Sequence, residues 1–199
     1  MNSNFLPFFE GNDYFIDEKI HFMKFENSYK VYNDKGDNIG AIKQRLTVGE
    51  KILRMLVNKA ILPFKLEIVN TNEEVQATIT RGWTFWMSKI RVLNNNGLPI
   101  ALIQQKFKFF TPTFHILDAE QKPIAVISGD WKAWNFSIAD TTQKEIGSIT
   151  KKWAGAMQEI FTSADKYYVH LDPSYAEDDK KIAIISTAIT IDMVMKESK

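Results

Sequence analysis

Four short runs set lysine or arginine beside aromatic rings: Arg81-Gly-Trp-Thr-Phe-Trp86, Lys106-Phe-Lys-Phe-Phe110, Trp131-Lys-Ala-Trp134 and Lys151-Lys-Trp153. Ammonium groups attract lipid phosphates, and amphipathic rings settle at the boundary between water and acyl chains. Lys106, Lys108, Lys132, Lys151 and Lys152 are therefore the candidate contacts to an anionic phospholipid surface. The alternation Lys106-Phe-Lys-Phe109 puts both lysines on one strand face and both rings on the other. That pattern equally describes an ordinary strand with solvated lysines and core phenylalanines. Single-stranded nucleic acid would use the same stacking and phosphate contacts, but a net charge of +1 argues against that partner.

Carboxylates cluster elsewhere. From Glu159 to Asp179 there are six acids and one lysine, and the rest of the chain, with 24 Lys and Arg against 18 Asp and Glu, carries +6. Asp165, Asp172, Glu177, Asp178 and Asp179 are candidate oxygen donors for calcium, with Asp165 and Asp172 the two carried forward as a site. Calcium takes about six to eight oxygens, usually around a turn opened by glycine; this stretch has no glycine and no D-x-D-x-D spacing. No nucleophile–base set, H-E-x-x-H or phosphate loop occurs, and His21, His115 and His170 fall in separate elements. No catalytic residue is assigned, and a non-enzymatic protein is expected. The absence of cysteine removes disulfides, thiolate catalysis and zinc–thiolate sites.

The elements that hold these residues are mostly strands. Five apolar pairs flank polar turns: 29–32 with 39–42, 64–69 with 75–79, 89–93 with 98–103, 113–117 with 123–127, and 135–139 with 146–149. Each reads as a β-hairpin, and the later ones recur about every two dozen residues. With a first strand near Tyr14-Phe-Ile16, about ten to twelve strands result; a sheet that large curls closed and so removes its edges. The chain of 199 residues, 45% apolar and 13% aromatic, suits one domain spanning 1–199, with 1–12 as a flexible lead-in. The N-terminus lacks a basic region followed by an apolar run, so cytoplasmic residence is expected.

Two segments carry helix signals. Thr47-Val-Gly-Glu50 is a capping box opening an amphipathic stretch to Lys59, with Ile52, Leu53, Met55 and Leu56 opposite Lys51, Arg54 and Lys59. Packing on the sheet is the expectation; the alternative is a membrane-surface helix with basic flanks. Ser174-Tyr-Ala-Glu177 is a second capping box, followed by an apolar run to Met195, giving a helix over 174–196. The run is shorter than the ~20 residues a bilayer span needs, and Asp192 would cost roughly 3 kcal/mol at mid-bilayer. Its isoleucines and threonines also suit a strand. A helix apolar on all sides must be surrounded by protein, and a closed barrel must be filled, so the helix is expected along the barrel axis.

Ile146-Gly-Ser-Ile-Thr-Lys-Lys-Trp153, Glu159-Ile-Phe-Thr-Ser-Ala-Asp165, Tyr168-Val169 and Ala188-Ile-Thr-Ile-Asp192-Met resemble the phospholipid scramblases, which belong with the LURP-one-related proteins and tubby-like C-terminal domains. The resemblance implies a closed twelve-stranded barrel around a hydrophobic C-terminal helix. It also implies calcium-dependent lipid movement, head-group binding or membrane-tethered regulation. In the family's calcium segment two acids flank an alanine; here Ser163 holds the first of those positions and only Asp165 remains. The favoured expectation is peripheral binding of phospholipid or another ligand at a membrane. A calcium-dependent scramblase and a regulatory domain with a protein partner are the alternatives.

Overall fold

The computed structural model describes residues 6–19, 28–46, 48–58, 61–83, 89–108, 111–130, 132–151, 166–175 and 178–196, with backbone alone at 18, 19, 51, 53–55, 107 and 108. Twelve strands occur in chain order. They are β1 (Asp13–Lys19), β2 (Ser28–Tyr32), β3 (Asn38–Gln44), β4 (Phe64–Asn70), β5 (Val75–Arg81) and β6 (Lys89–Asn94), then β7 (Pro99–Lys108), β8 (Thr111–Asp118), β9 (Pro123–Asp130), β10 (Asn135–Asp140), β11 (Glu145–Thr150) and β12 (Lys166–Leu171). Each pairs antiparallel with its chain neighbour, and β1 pairs with β12, from Asp13 opposite His170 to Asp17 opposite Lys166. The sheet is thus a closed barrel.

Alternation decides which side chains face inward. Tyr29 and Val31, Leu66 and Ile68, Ile90 and Val92, Phe114 and Ile116, and Phe136 and Ile138 are all buried. The five even-to-odd hairpins share one turn. Asn33, Asn70, Asn94, Asp118 and Asp140 each accept the i+3 amide on their own carbonyl and donate their amide to the i+4 carbonyl. Their side-chain oxygen also takes the i+4 amide in every case. The i+3 residue has positive φ: Gly36, Glu73, Gly97, Gln121 and Gln143. This is an Asx-capped turn with a bulge, and the register shift follows beside it in each pair.

α1 (Val48–Leu56) interrupts β3 and β4, which still pair directly from Gly40 with Asn70 to Gln44 with Leu66. The helix is therefore an excursion from the end of the barrel. It also explains the sequence spacing: the capping residues lie 24, 24 and 22 apart from Asn70 onward, but 37 separate Asn33 from Asn70.

α2 (Asp179–Lys196) fills the barrel, and every residue from Lys181 to Met195 is buried. Its start differs from the expected Ser174. The cap is Asp178, whose Oδ1 accepts the amides of Lys180 and Lys181. Ser174 instead lies in a turn held by the Asp172 carboxylate, because the chain must first bend from the wall to the axis. Inside, Thr187 and Thr190 donate to the carbonyls of Ala183 and Ser186, at 2.7 and 2.6 Å, so their hydroxyls need no outside partner. The described part of the lead-in touches the barrel. Pro7–Phe9 form a 3-10 turn with Phe8 and Phe9 buried, and Glu10 accepts a 3.1 Å hydrogen bond from buried Lys181.

Candidate functional site

Because successive strands alternate in direction, the barrel has two unlike ends. One carries the five Asx turns and the start of α2. The other is where β3, β5, β7, β9 and β11 finish, where α1 sits and where α2 stops.

The turn end is acidic. Residues 33–37, 70–74, 94–98, 118–122 and 140–144 hold seven Asp and Glu against three Lys. Asp172, Asp178 and Asp179 lie at the same end. Hydrogen bonds from the Thr142 hydroxyl and from the Thr142 and Lys144 amides hold the Asp140 carboxyl below its ordinary range. Hydrogen bonds from Ser174 do the same for Asp172, helped by Lys144 and His170. These carboxylates are occupied in capping turns. Among the described residues no three acidic or histidine side chains gather as a metal centre, and Asp165 lies outside the described residues.

The opposite rim has a different chemistry. Lys106 near the end of β7 and Lys132 after β9 are exposed. The amides of Lys132 and Ala133 donate to the Asp130 carboxylate, which holds the turn at 132–134. Trp134, at φ 49°, completes that turn. Its indole packs edge-on against Phe136 and 5.2 Å from the Tyr167 ring. The Lys151 amide donates to the Trp134 carbonyl at 3.3 Å, and its ammonium sits 4.5 Å from the indole centroid. The rim thus joins Lys132 and Trp134 of one run to Lys151 of another. Lys108 is placed by its backbone at the end of β7; Lys152 lies outside the described residues.

Exposed apolar side chains share this rim. Val48, Ile52, Leu56 and Trp83 are 76%, 57%, 78% and 56% exposed. Ile52 and Leu56, expected to pack on the sheet, instead face solvent: α1 leaves the end of the barrel, where β3 and β4 pair directly with each other.

Inside the rim lies a polar layer around the end of α2. Tyr29 donates to Asp192 Oδ2 at 2.6 Å, and Lys196 reaches both the Tyr29 oxygen and Asp192 Oδ2 at 2.9 Å. The Tyr167 hydroxyl donates to the Ile189 carbonyl. Arg81 is buried, donates to the Leu62 carbonyl at 2.8 Å and stands over the Phe64 ring. The basic–aromatic runs contained neither Tyr29 nor Lys196, and Arg81, which heads the first run, turns inward. The available signal was tyrosine on inward strand positions, since a buried phenol needs a hydrogen-bond partner.

On the outer wall of β1 and β12, Asp13 Oδ1 accepts from the Tyr168 hydroxyl and lies 2.8 Å from His170 Nδ1. Burial, and then the Asp13 carboxylate, push the Tyr168 phenol up. Phe15 stacks on Tyr168 at 4.8 Å. This group joins the strands that close the barrel.

A closed antiparallel barrel threaded by an apolar helix, with carboxylates at one end and cations beside exposed apolar groups at the other, defines a threaded-barrel class of protein. The Scramblase family model matches residues 18–198, and the chain belongs to that family. Among solved structures, an X-ray structure of an Arabidopsis thaliana protein aligns over 92% of this chain and 91% of its own, with a TM-score of 0.55 and 10% identity; that likeness concerns the fold. No curated protein sequence matches. Among the described residues no helix is long and apolar enough to cross a membrane.

Proposed function

We propose that the protein binds anionic phospholipid surfaces peripherally, through the rim that carries Lys106, Lys132 and Lys151, with Lys108 and Lys152 as neighbours in sequence. The observation that carries this reading is the axial asymmetry of the barrel: the turns at one end hold seven acids against three lysines, and four of the five large exposed apolar side chains among the described residues lie at the other. Phosphate head groups attract lysines at about 1 kcal/mol each near the surface, while the carboxylate-rich turns would be repelled. One orientation is therefore preferred, with the rim on the membrane and the turn end in water. Membership of the scramblase family supports a membrane interaction in general.

The reading concerns binding and not lipid transfer. α2 is buried from Lys181 to Met195 and tied at both ends, to Glu10 and to Tyr29. Scrambling by insertion of α2 would first require the helix to leave the barrel.

The test is co-sedimentation with neutral and with phosphatidylserine-containing vesicles. Reversing Lys106, Lys132 and Lys151 together to Glu is expected to abolish selective binding to the anionic vesicles. The same reversal at Lys35, Lys122 and Lys144, on the turn end, is expected to leave it intact. Equal binding to both vesicle types, or equal loss from the two triple variants, rejects the reading.

A further inference from the structure

The three exposed apolar residues of α1 recur at i, i+4 and i+8, so Val48, Ile52 and Leu56 lie within an arc of about 80° on one face. That face is turned to solvent. β3 and β4 pair directly with each other, so the sheet closes there without the helix. Trp83 stands at the neighbouring strand exit. The Arg81 guanidinium bonds the Leu62 carbonyl at 2.8 Å, tying the β5 exit to the segment between α1 and β4. Four large exposed apolar side chains thus lie on the rim that also bears Lys106, Lys132 and Lys151.

We propose that α1 is a membrane wedge: Val48, Ile52 and Leu56, with Trp83, enter the acyl-chain boundary of an anionic bilayer while the lysines engage the head groups. This rests on the lipid-binding reading of the rim and adds insertion to it. Nine residues make a helix about 13 Å long, too short to span, so α1 lies in the plane of the interface. Charge complementarity selects the occupant. An apolar protein groove would satisfy the stripe alone, whereas a flat anionic bilayer meets both the stripe beside β3 and β4 and the lysines at the ends of β7, β9 and β11 on the same rim. Trp suits the same depth, since its ring is apolar and its N–H seeks water.

The absence of cysteine makes the test clean. Ile52→Cys carries an environment-sensitive nitrobenzoxadiazole dye, and Leu98→Cys, 60% exposed on the turn end, carries the control. With phosphatidylserine-containing vesicles the dye at 52 is expected to shift to the blue and to be quenched by shallow nitroxide lipids, while the dye at 98 stays unchanged. Unlabelled Ile52→Glu, a change at an exposed site, is expected to bind about tenfold more weakly with its thermal unfolding unaltered. Binding with no shift at 52 overturns the wedge and leaves the rim reading standing. No binding of wild type to any vesicle overturns both. A shift at 52 that grows with protein concentration and needs no vesicles means that a second copy covers the face, and also overturns the wedge.

Discussion

Replacing Tyr29 with Phe isolates the contact that fixes the end of α2 beneath the rim. The substitution keeps the ring in the core and removes one hydroxyl, which donates to Asp192 Oδ2 at 2.6 Å and accepts from Lys196 at 2.9 Å. The Asp192 side chain is 9% exposed, so water cannot replace the lost donor, and Asp192 keeps its ion pair with Lys196 at 2.9 Å. A hydrogen bond to a charged group contributes about 1.5–3 kcal/mol, and the remaining ion pair offsets part of the loss. We expect Tyr29→Phe to destabilise by about 2 kcal/mol. For a chain of this size that lowers Tm by about 4–8 °C. Lys196 is 43% exposed, and half-solvated ion pairs contribute little, so Lys196→Met is expected to cost less than about 1 kcal/mol. Urea unfolding followed by Trp fluorescence measures both. If Lys196→Met costs as much as Tyr29→Phe, or Tyr29→Phe changes stability by less than about 0.5 kcal/mol, the buried hydroxyl does not pin the helix and the reasoning is refuted.

The repeated turn predicts gains as well as losses. Glu73, Gln121 and Gln143 sit at φ 65°, 64° and 67°, a conformation that disfavours side chains by about 1–2 kcal/mol, while glycine adds about 0.4–1 kcal/mol of unfolded-state entropy; the triple change to Gly is expected to raise stability by about 1–2 kcal/mol in urea melts. Gly40→Ala should do the reverse: its Cβ would lie 2.0 Å from the Val69 carbonyl oxygen, and a loss of about 3 kcal/mol or failure to accumulate folded protein is expected on expression and melting. Asp140→Asn tests the pH dependence. The folded Asp140 carboxyl is held below its ordinary value of 3.8, so its contribution is present above about pH 4 and fades as pH falls through the folded value. Asn, already used at three of the five turns, should match wild type closely at pH 7 and lose less stability between pH 4 and pH 2.

The strands were legible because burial and backbone pairing act on neighbours in sequence. Alternation such as Phe114, Ile116 in β8 and the Asx residues every two dozen positions are local properties, and they located all five hairpins and implied a closed sheet. The apolar run of α2 demanded enclosure, and the barrel was the available enclosure. The cap was placed at Ser174 and not Asp178 because the bend from wall to axis is set by the barrel radius, which no local signal carries. The same limit applies to the site. The lysine–aromatic runs were visible one at a time, yet that they share a rim follows only from strand parity around a closed sheet. The exposure of Ile52 and Leu56 depends on where α1 leaves the end of the barrel; the amphipathic pattern is identical whether its partner is a sheet or a membrane. Tyr29, Asp192 and Lys196 meet across more than 160 positions of chain. Residue type and periodicity therefore determined the strands, the turns and the need for an enclosed helix. Closure of the barrel alone decided which charges, rings and apolar faces stand together.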